Sequence, residues 1–187
     1  TAGRPYRPAL LPEKKLTTAE FAEPRNEKLL RGRVEAIVRT EAPISAKLLT
    51  RRLLQSLGMS RLGARAQKRL DELLTSMKLQ TTEREGVVWY WHSGQDPDTY
   101  AGFRISGAGL SKRDAADVPA QEAANALCEV LREQIALPEE DLLRETAKKL
   151  GYPRAGGGAR NAAADGLSLA VSRGLTAQDR NGCWTLK

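Results

Sequence analysis

The sequence predicts an α+β fold, mainly helical with small β-hairpins, built twice from one plan. Three observations predict it: an internal repeat, helical spacing of apolar residues three times in each copy, and a change to strand alternation at the end of each copy. Leu49, Arg51, Leu57, Gly58, Arg61 and Gly63 recur without a gap as Leu142, Arg144, Leu150, Gly151, Arg154 and Gly156. Val34, Ile37, Val38 and Ile44 recur at the same offset as Leu127, Val130, Leu131 and Leu137. A unit of about 65 residues is too long for a solenoid repeat and suits a small domain.

Residues 1–25 hold four prolines and little apolar periodicity, which reads as an extended arm. The first repeat spans 26–92. Its first helix, 26–40, carries Leu29, Leu30, Val34, Ile37 and Val38 at helical spacing. Ala42-Pro43-Ile44 ends it, and Ser45 is an N-cap for a second helix that Gly58 closes as a left-handed cap. A third helix starts near Gly63 with Ala66, Leu70, Leu73, Leu74 and Met77 on one face. Strands 79–83 and 87–91 follow, turning at Arg84-Glu85-Gly86.

Residues 93–119 combine turn sequences with Tyr100, Phe103 and Ile105, and read as an ordered strap. The second repeat spans 120–187, with helices at 120–134, 138–150 and 159–173. Pro138 before Glu139, Glu140 and Asp141 suits a helix start. Strands 175–179 and 183–186 turn on Asn181-Gly182, the strongest short hairpin signal. Three helices and then a hairpin is the order of a winged helix-turn-helix, so the expected architecture is a tandem pair of them.

Charge separates the copies. Residues 26–92 carry 13 Lys and Arg against 7 Asp and Glu, a net +6, whereas residues 120–187 carry 9 against 9. The first copy is therefore the candidate polyanion binder, and the second is expected to meet protein. No apolar run reaches bilayer length and no secretory leader pattern is present, which excludes a membrane span on the helical criterion. Cys128 and Cys183 lack metal-ligand spacing and suit a reducing cytoplasm. The chain begins at Thr1, and a longer parent protein is expected.

Several motifs resemble those of a known family. They are Glu41-Ala42-Pro43-Ile44, Leu48-Leu49-x-Arg51-Arg52, Gly58-x-x-Arg61-x-Gly63, Gly102-Phe103-Arg104, Pro138-Glu139-Glu140-Asp141-Leu142-x-Arg144-Glu145 and Leu150-Gly151-Tyr152. Together they resemble a bacterial domain of unassigned function. It closes large proteins with a superfamily I helicase-like ATPase core, often after a restriction-endonuclease-like segment. The resemblance implies a C-terminal accessory module of a nucleic-acid-dependent ATPase. It carries over no catalytic residue, since the ATPase and nuclease motifs would lie upstream.

The candidate contacts to DNA, as duplex or junction, lie in the first repeat. Arg65, Lys68 and Arg69 lie opposite the apolar stripe of the third helix, where a winged helix meets the major groove. Lys47, Arg51, Arg52 and Arg61 come from the second helix and its exit, within reach of phosphates, and Arg84 sits at the hairpin turn. A solvated or docking face is the competing reading. Arg61 and Arg154 are shared by both repeats, so either they contact a ligand or they tie the turn to a carboxylate. Alternation places Val88 and Tyr90 on the core side of the wing and Trp89 and Trp91 away from it. The two tryptophans then either stack on unpaired bases or are covered by the strap.

Gly156-Gly157-Gly158-Ala159-Arg160 lacks the Gly-Lys-Ser/Thr ending of a phosphate loop, and His92 has no partner ligand. Glu13 and Lys15 have nuclease-like spacing but no upstream acid. No catalytic set, cofactor or metal is expected. Two functions compete: a non-catalytic DNA-binding module, with the second repeat on the parent ATPase or another protein, and a protein-interaction module without nucleic acid.

Overall fold

The computed structural model describes residues 3–154 and 156–187. The chain divides into an N-terminal unit, Arg7–Asp96, and a C-terminal unit formed by Pro97–Lys187 with the residues up to Tyr6. Both are helical with small sheets, in agreement with the α+β expectation. β1 (Gly3–Pro5) belongs to the C-terminal unit, where it pairs in parallel with a strand of the strap described below.

In the N-terminal unit, α1 (Thr18–Phe21) is a single turn. Thr17 accepts from the Glu20 amide at 3.1 Å, and the Glu20 carboxylate accepts from the Thr17 amide at 3.0 Å. After a 3-10 turn, Pro24–Asn26, come α2 (Glu27–Glu41), β2 (Ile44–Ser45), α3 (Ala46–Ser56), α4 (Ala64–Met77), β3 (Gln80–Arg84) and β4 (Val87–Trp91). The sheet order is β2-β4-β3, all antiparallel, with Ile44 opposite Tyr90 and Arg84 opposite Val87. Glu85 and Gly86 both have positive φ, which makes the two-residue turn follow the twist of the strands.

The C-terminal unit repeats this order. It has β5 (Phe103–Ile105), 3-10 turns at Gly109–Ser111 and Ala115–Asp117, α5 (Ala120–Gln134), β6 (Ala136–Leu137), α6 (Glu139–Lys149), α7 (Gly157–Ser172), β7 (Thr176–Gln178) and β8 (Trp184–Leu186). Its second sheet is ordered β6-β8-β7. The Asn-Gly signal is realised differently from a two-residue turn. The Gly182 amide donates to the Asp179 carbonyl at 3.1 Å, and Gly182 alone takes positive φ, giving a three-residue loop.

The repeated leucines occupy equivalent buried places: Leu49 and Leu142 are 1% and 0% exposed, Leu57 and Leu150 both 0%. The glycine caps match atom for atom. The Met59 amide donates to Leu54 O and the Gly58 amide to Gln55 O; the Tyr152 amide donates to Ala147 O and the Gly151 amide to Lys148 O.

Arm and strap form a second level of repetition. The Leu16 amide donates to Leu57 O at 3.0 Å, and the Ser106 amide donates to Leu150 O at 2.9 Å. Each segment thus crosses the exit of its unit's second helix. The arm is therefore packed structure: Leu16 and Phe21 lie in the core with Leu30, Leu49 and Leu57. Phe103 and Val118 of the strap pack with Ala123, Leu150 and Ala162.

Candidate nucleic-acid interface

The N-terminal unit presents its cations from α3, α4 and the turn between them. Ser45 caps α3, its hydroxyl accepting from the Leu48 amide at 3.1 Å. Leu48, Leu49, Leu53 and Leu54 then point into the core, which leaves Lys47 and Arg51 one turn apart on the outside. Ala66, Leu70 and Leu73 bury one stripe of α4, so Arg65 and Lys68 are exposed. Arg61 is exposed in the turn. Among the described residues no carboxylate pairs with Lys47, Arg61, Arg65 or Lys68.

Other expected contacts have structural duties. Arg52 Nε donates to both Glu41 oxygens, at 3.1 and 3.0 Å, and Glu41 also accepts from the Ala9 amide. The Glu41 side chain is fully buried, so Arg52 neutralises an interior carboxylate and is no open phosphate contact. Glu41 lies on the apolar side of α2, three and four residues after Val38 and Ile37, and that placement was the signal for a cation partner. Arg69 is half-buried, 3.5 Å from Glu27 and 3.9 Å from Glu72. Arg84 is half-buried at the end of β3 instead of projecting from the turn.

Trp89 and Trp91 are 6% and 0% exposed, and Trp91 Nε1 donates to Thr82 Oγ1 at 2.9 Å. Neither offers a free ring face, which removes base stacking as their role. Tyr90 packs against the helical core, as alternation predicts. Arg33 was not singled out by its sequence context. It is 8% exposed and donates to Ser56 O at 3.1 Å and Pro12 O at 2.5 Å, joining the α3 exit to the arm.

The same positions of the C-terminal unit carry different chemistry. Glu140 stands where Lys47 does, Gly158 for Arg65, Asn161 for Lys68 and buried Ala162 for Arg69. Arg160 donates to Glu140 through Nε at 3.2 Å, and this hydrogen bond holds the Glu140 carboxyl below its usual range. Arg144 pairs with Asp141, Lys148 with Glu145 at 3.1 Å and Lys149 with Glu133 at 2.6 Å. Arg154 is exposed like Arg61, and neither has a carboxylate partner among the described residues, so a carboxylate tie does not explain the shared arginine.

The C-terminal unit has a buried charge cluster instead. Glu122 accepts from the Arg104 amide at 2.7 Å, from Arg104 Nε at 3.0 Å and from Arg113 at 2.7 Å. Burial pushes the Glu122 carboxyl up, but Arg104 and then Arg113 outweigh it and hold it down to about 2. The Tyr6 ring lies 5.5 Å from the Arg104 guanidinium and 4.8 Å from that of Arg113.

No helix among the described residues is long and apolar enough to cross a membrane, and no group of three or more His, Cys, Asp or Glu is placed to hold a metal. Residues 19–68 match the model of a family described as a protein of unknown function, DUF3320. The match runs from α1 into the first turns of α4 and takes in Lys47, Arg61, Arg65 and Lys68. No curated protein and no solved structure matches the chain.

Proposed function

We propose that each unit is a winged helix-turn-helix and that the pair is a non-catalytic DNA-binding accessory module. α3 and α4 form the helix-turn-helix of the N-terminal unit and β3–β4 its wing; α6, α7 and β7–β8 are their counterparts. The observation that carries the reading is the open set Lys47, Arg61, Arg65 and Lys68. Surface cations that belong to a stability network have carboxylate neighbours, as Arg144, Lys148 and Arg160 do. Cations kept free on two successive helices and the turn between them suit phosphates, whose binding releases counterions. Of the four, only Arg61 has a counterpart cation, Arg154; the positions aligned with Lys47, Arg65 and Lys68 hold Glu140, Gly158 and Asn161, so the set is not a by-product of the fold. In this reading the module serves a parent ATPase related to superfamily I helicases, as the motif resemblance implies; the weakly charged C-terminal unit docks on protein, and the two free cysteines suit the cytoplasm.

The test is a salt series on whole-chain binding to duplex and forked DNA by fluorescence anisotropy. Lys47→Ala, Arg65→Ala and Lys68→Ala together should weaken binding and flatten the log–log slope by about two to three, near 0.9 per lost phosphate contact. Stability should stay within about 0.5 kcal/mol per exposed site. Unchanged affinity and slope would favour the protein-interaction reading instead.

A further inference from the structure

Both units have a groove between the third helix and the wing. In the N-terminal unit it is about 280 Å³ and lined by Asp71, Leu74, Thr75, Lys78, Thr81 and Tyr90. In the C-terminal unit it is about 370 Å³, and the residues at matching positions are Ala164, Leu167, Ser168, Val171 and Trp184, with Leu143 added from α6. The fold made the groove twice, with the charges in different places: Asp71 and Lys78 lie along the third helix of the first copy, whereas the second keeps Glu139 and Arg160 at one end and is uncharged from Ala164 to Val171. Asp71 became Ala164 and Lys78 became Val171, a residue left 43% exposed. The groove follows α7 from Arg160 to Val171, a span of roughly 16 Å at 1.5 Å per residue.

The Arg160 end is acidic on balance, with Glu139, Glu140 and Asp141 against Arg144 and Arg160. Arg160 is committed to Glu140 and Arg144 to Asp141, while Glu139 forms no ion pair among the described residues, with Arg160 near enough to feel its charge. The Glu139 carboxylate accepts from Trp184 Nε1 at 3.3 Å, which fixes the indole as one wall. Phosphate finds no uncommitted positive charge here. We infer that this groove docks an amphipathic helix of a protein partner, with apolar anchors at i, i+3 or i+4 and i+7, and a Lys or Arg that meets Glu139. The inference rests on the C-terminal unit's share of the function proposed above and is independent of DNA contact by the N-terminal unit.

The experiment is selection of a displayed library of random 16-residue peptides on the whole chain. Enriched peptides should carry that apolar stripe with a basic end. They should bind at least tenfold more weakly, about 1.4 kcal/mol, to the double variant Ala164→Asp, Val171→Lys, which copies chemistry that the other unit already folds with. Val171→Lys alone, at an exposed site, should give part of this loss, and Glu139→Lys should turn the preference toward acidic peptides. DNA binding should stay unchanged in all three. Enrichment of no common stripe, or peptides that bind wild type and variants equally, would overturn the inference whatever the DNA series shows.

Discussion

Gly32 and Gly166 both sit inside helices, and the same added methyl group should move them in opposite directions. A Cβ on Gly32 would meet nothing within 4 Å, so Gly32→Ala gains helix propensity without a clash and should stabilise by about 0.5–1 kcal/mol. A Cβ on Gly166 would lie 2.6 Å from the Ala123 carbonyl carbon and 2.7 Å from the Ala124 nitrogen. Those are backbone atoms of α5 and cannot turn aside, so overpacking of about 1–3 kcal/mol outweighs the propensity gain. Urea midpoints of the two variants check both signs. The sequence shows why residues of one type divide in this way only in part. Leu49 and Leu142 were legible as core because their spacing is local. Arg52 and Arg69 were not legible as structural, because Glu41 and Glu27 reach them from a different helix. Trp89 and Trp91 had the correct face by alternation, but alternation says nothing about whether that second face is covered.

Elements with a period of their own were readable, and those held by a distant partner were not. The α2 expectation of 26–40 meets Glu27–Glu41, and the α5 expectation of 120–134 meets Ala120–Gln134. β2 and β6 have two residues each, too few to show alternation, and exist through pairing with β4 and β8. The parallel pair β1–β5 joins residues about a hundred positions apart, and its stabilising group, Glu122, is on neither strand. That carboxylate supports a prediction for the strap. Its folded pKa lies below the ordinary value near 4.3, so its contribution is present above that value and is lost as pH falls toward about 2. Glu122→Gln leaves Arg104 and Arg113 buried without a countercharge and should cost about 3–5 kcal/mol at neutral pH. The gap between wild type and variant should then narrow below pH 4. Denaturation midpoints at several pH values measure it, and a gap independent of pH would show that Glu122 acts through shape alone.

At the scale of the whole molecule, one fold carries two surfaces. The N-terminal unit, Arg7–Asp96, holds 17 Lys and Arg against 11 Asp and Glu, while the C-terminal unit holds 13 against 12. The asymmetry visible in the sequence thus survives when arm and strap are assigned to their units. It sharpens at the level of pairing, since α6 answers its cations with Glu139, Glu140, Asp141 and Glu145, and α3 has no acid at all. Arg61 and Arg154 provide a matched comparison: the same residue, at the same place after a left-handed glycine cap, exposed in both units. If arginine at that turn served only the fold, Arg61→Ala and Arg154→Ala would have the same effect. If charge decides, Arg61 belongs to a segment with exposed Lys47, Arg65 and Lys68, while the places aligned with those three in the segment of Arg154 hold Glu140, Gly158 and Asn161. Arg61→Ala should therefore weaken binding of the whole chain to forked DNA by about three- to tenfold, or roughly 0.7–1.4 kcal/mol, and Arg154→Ala should stay within about twofold. Anisotropy titrations of both at one moderate salt concentration decide it. Equal losses would mean that both turns touch DNA and that charge does not divide the labour between the units.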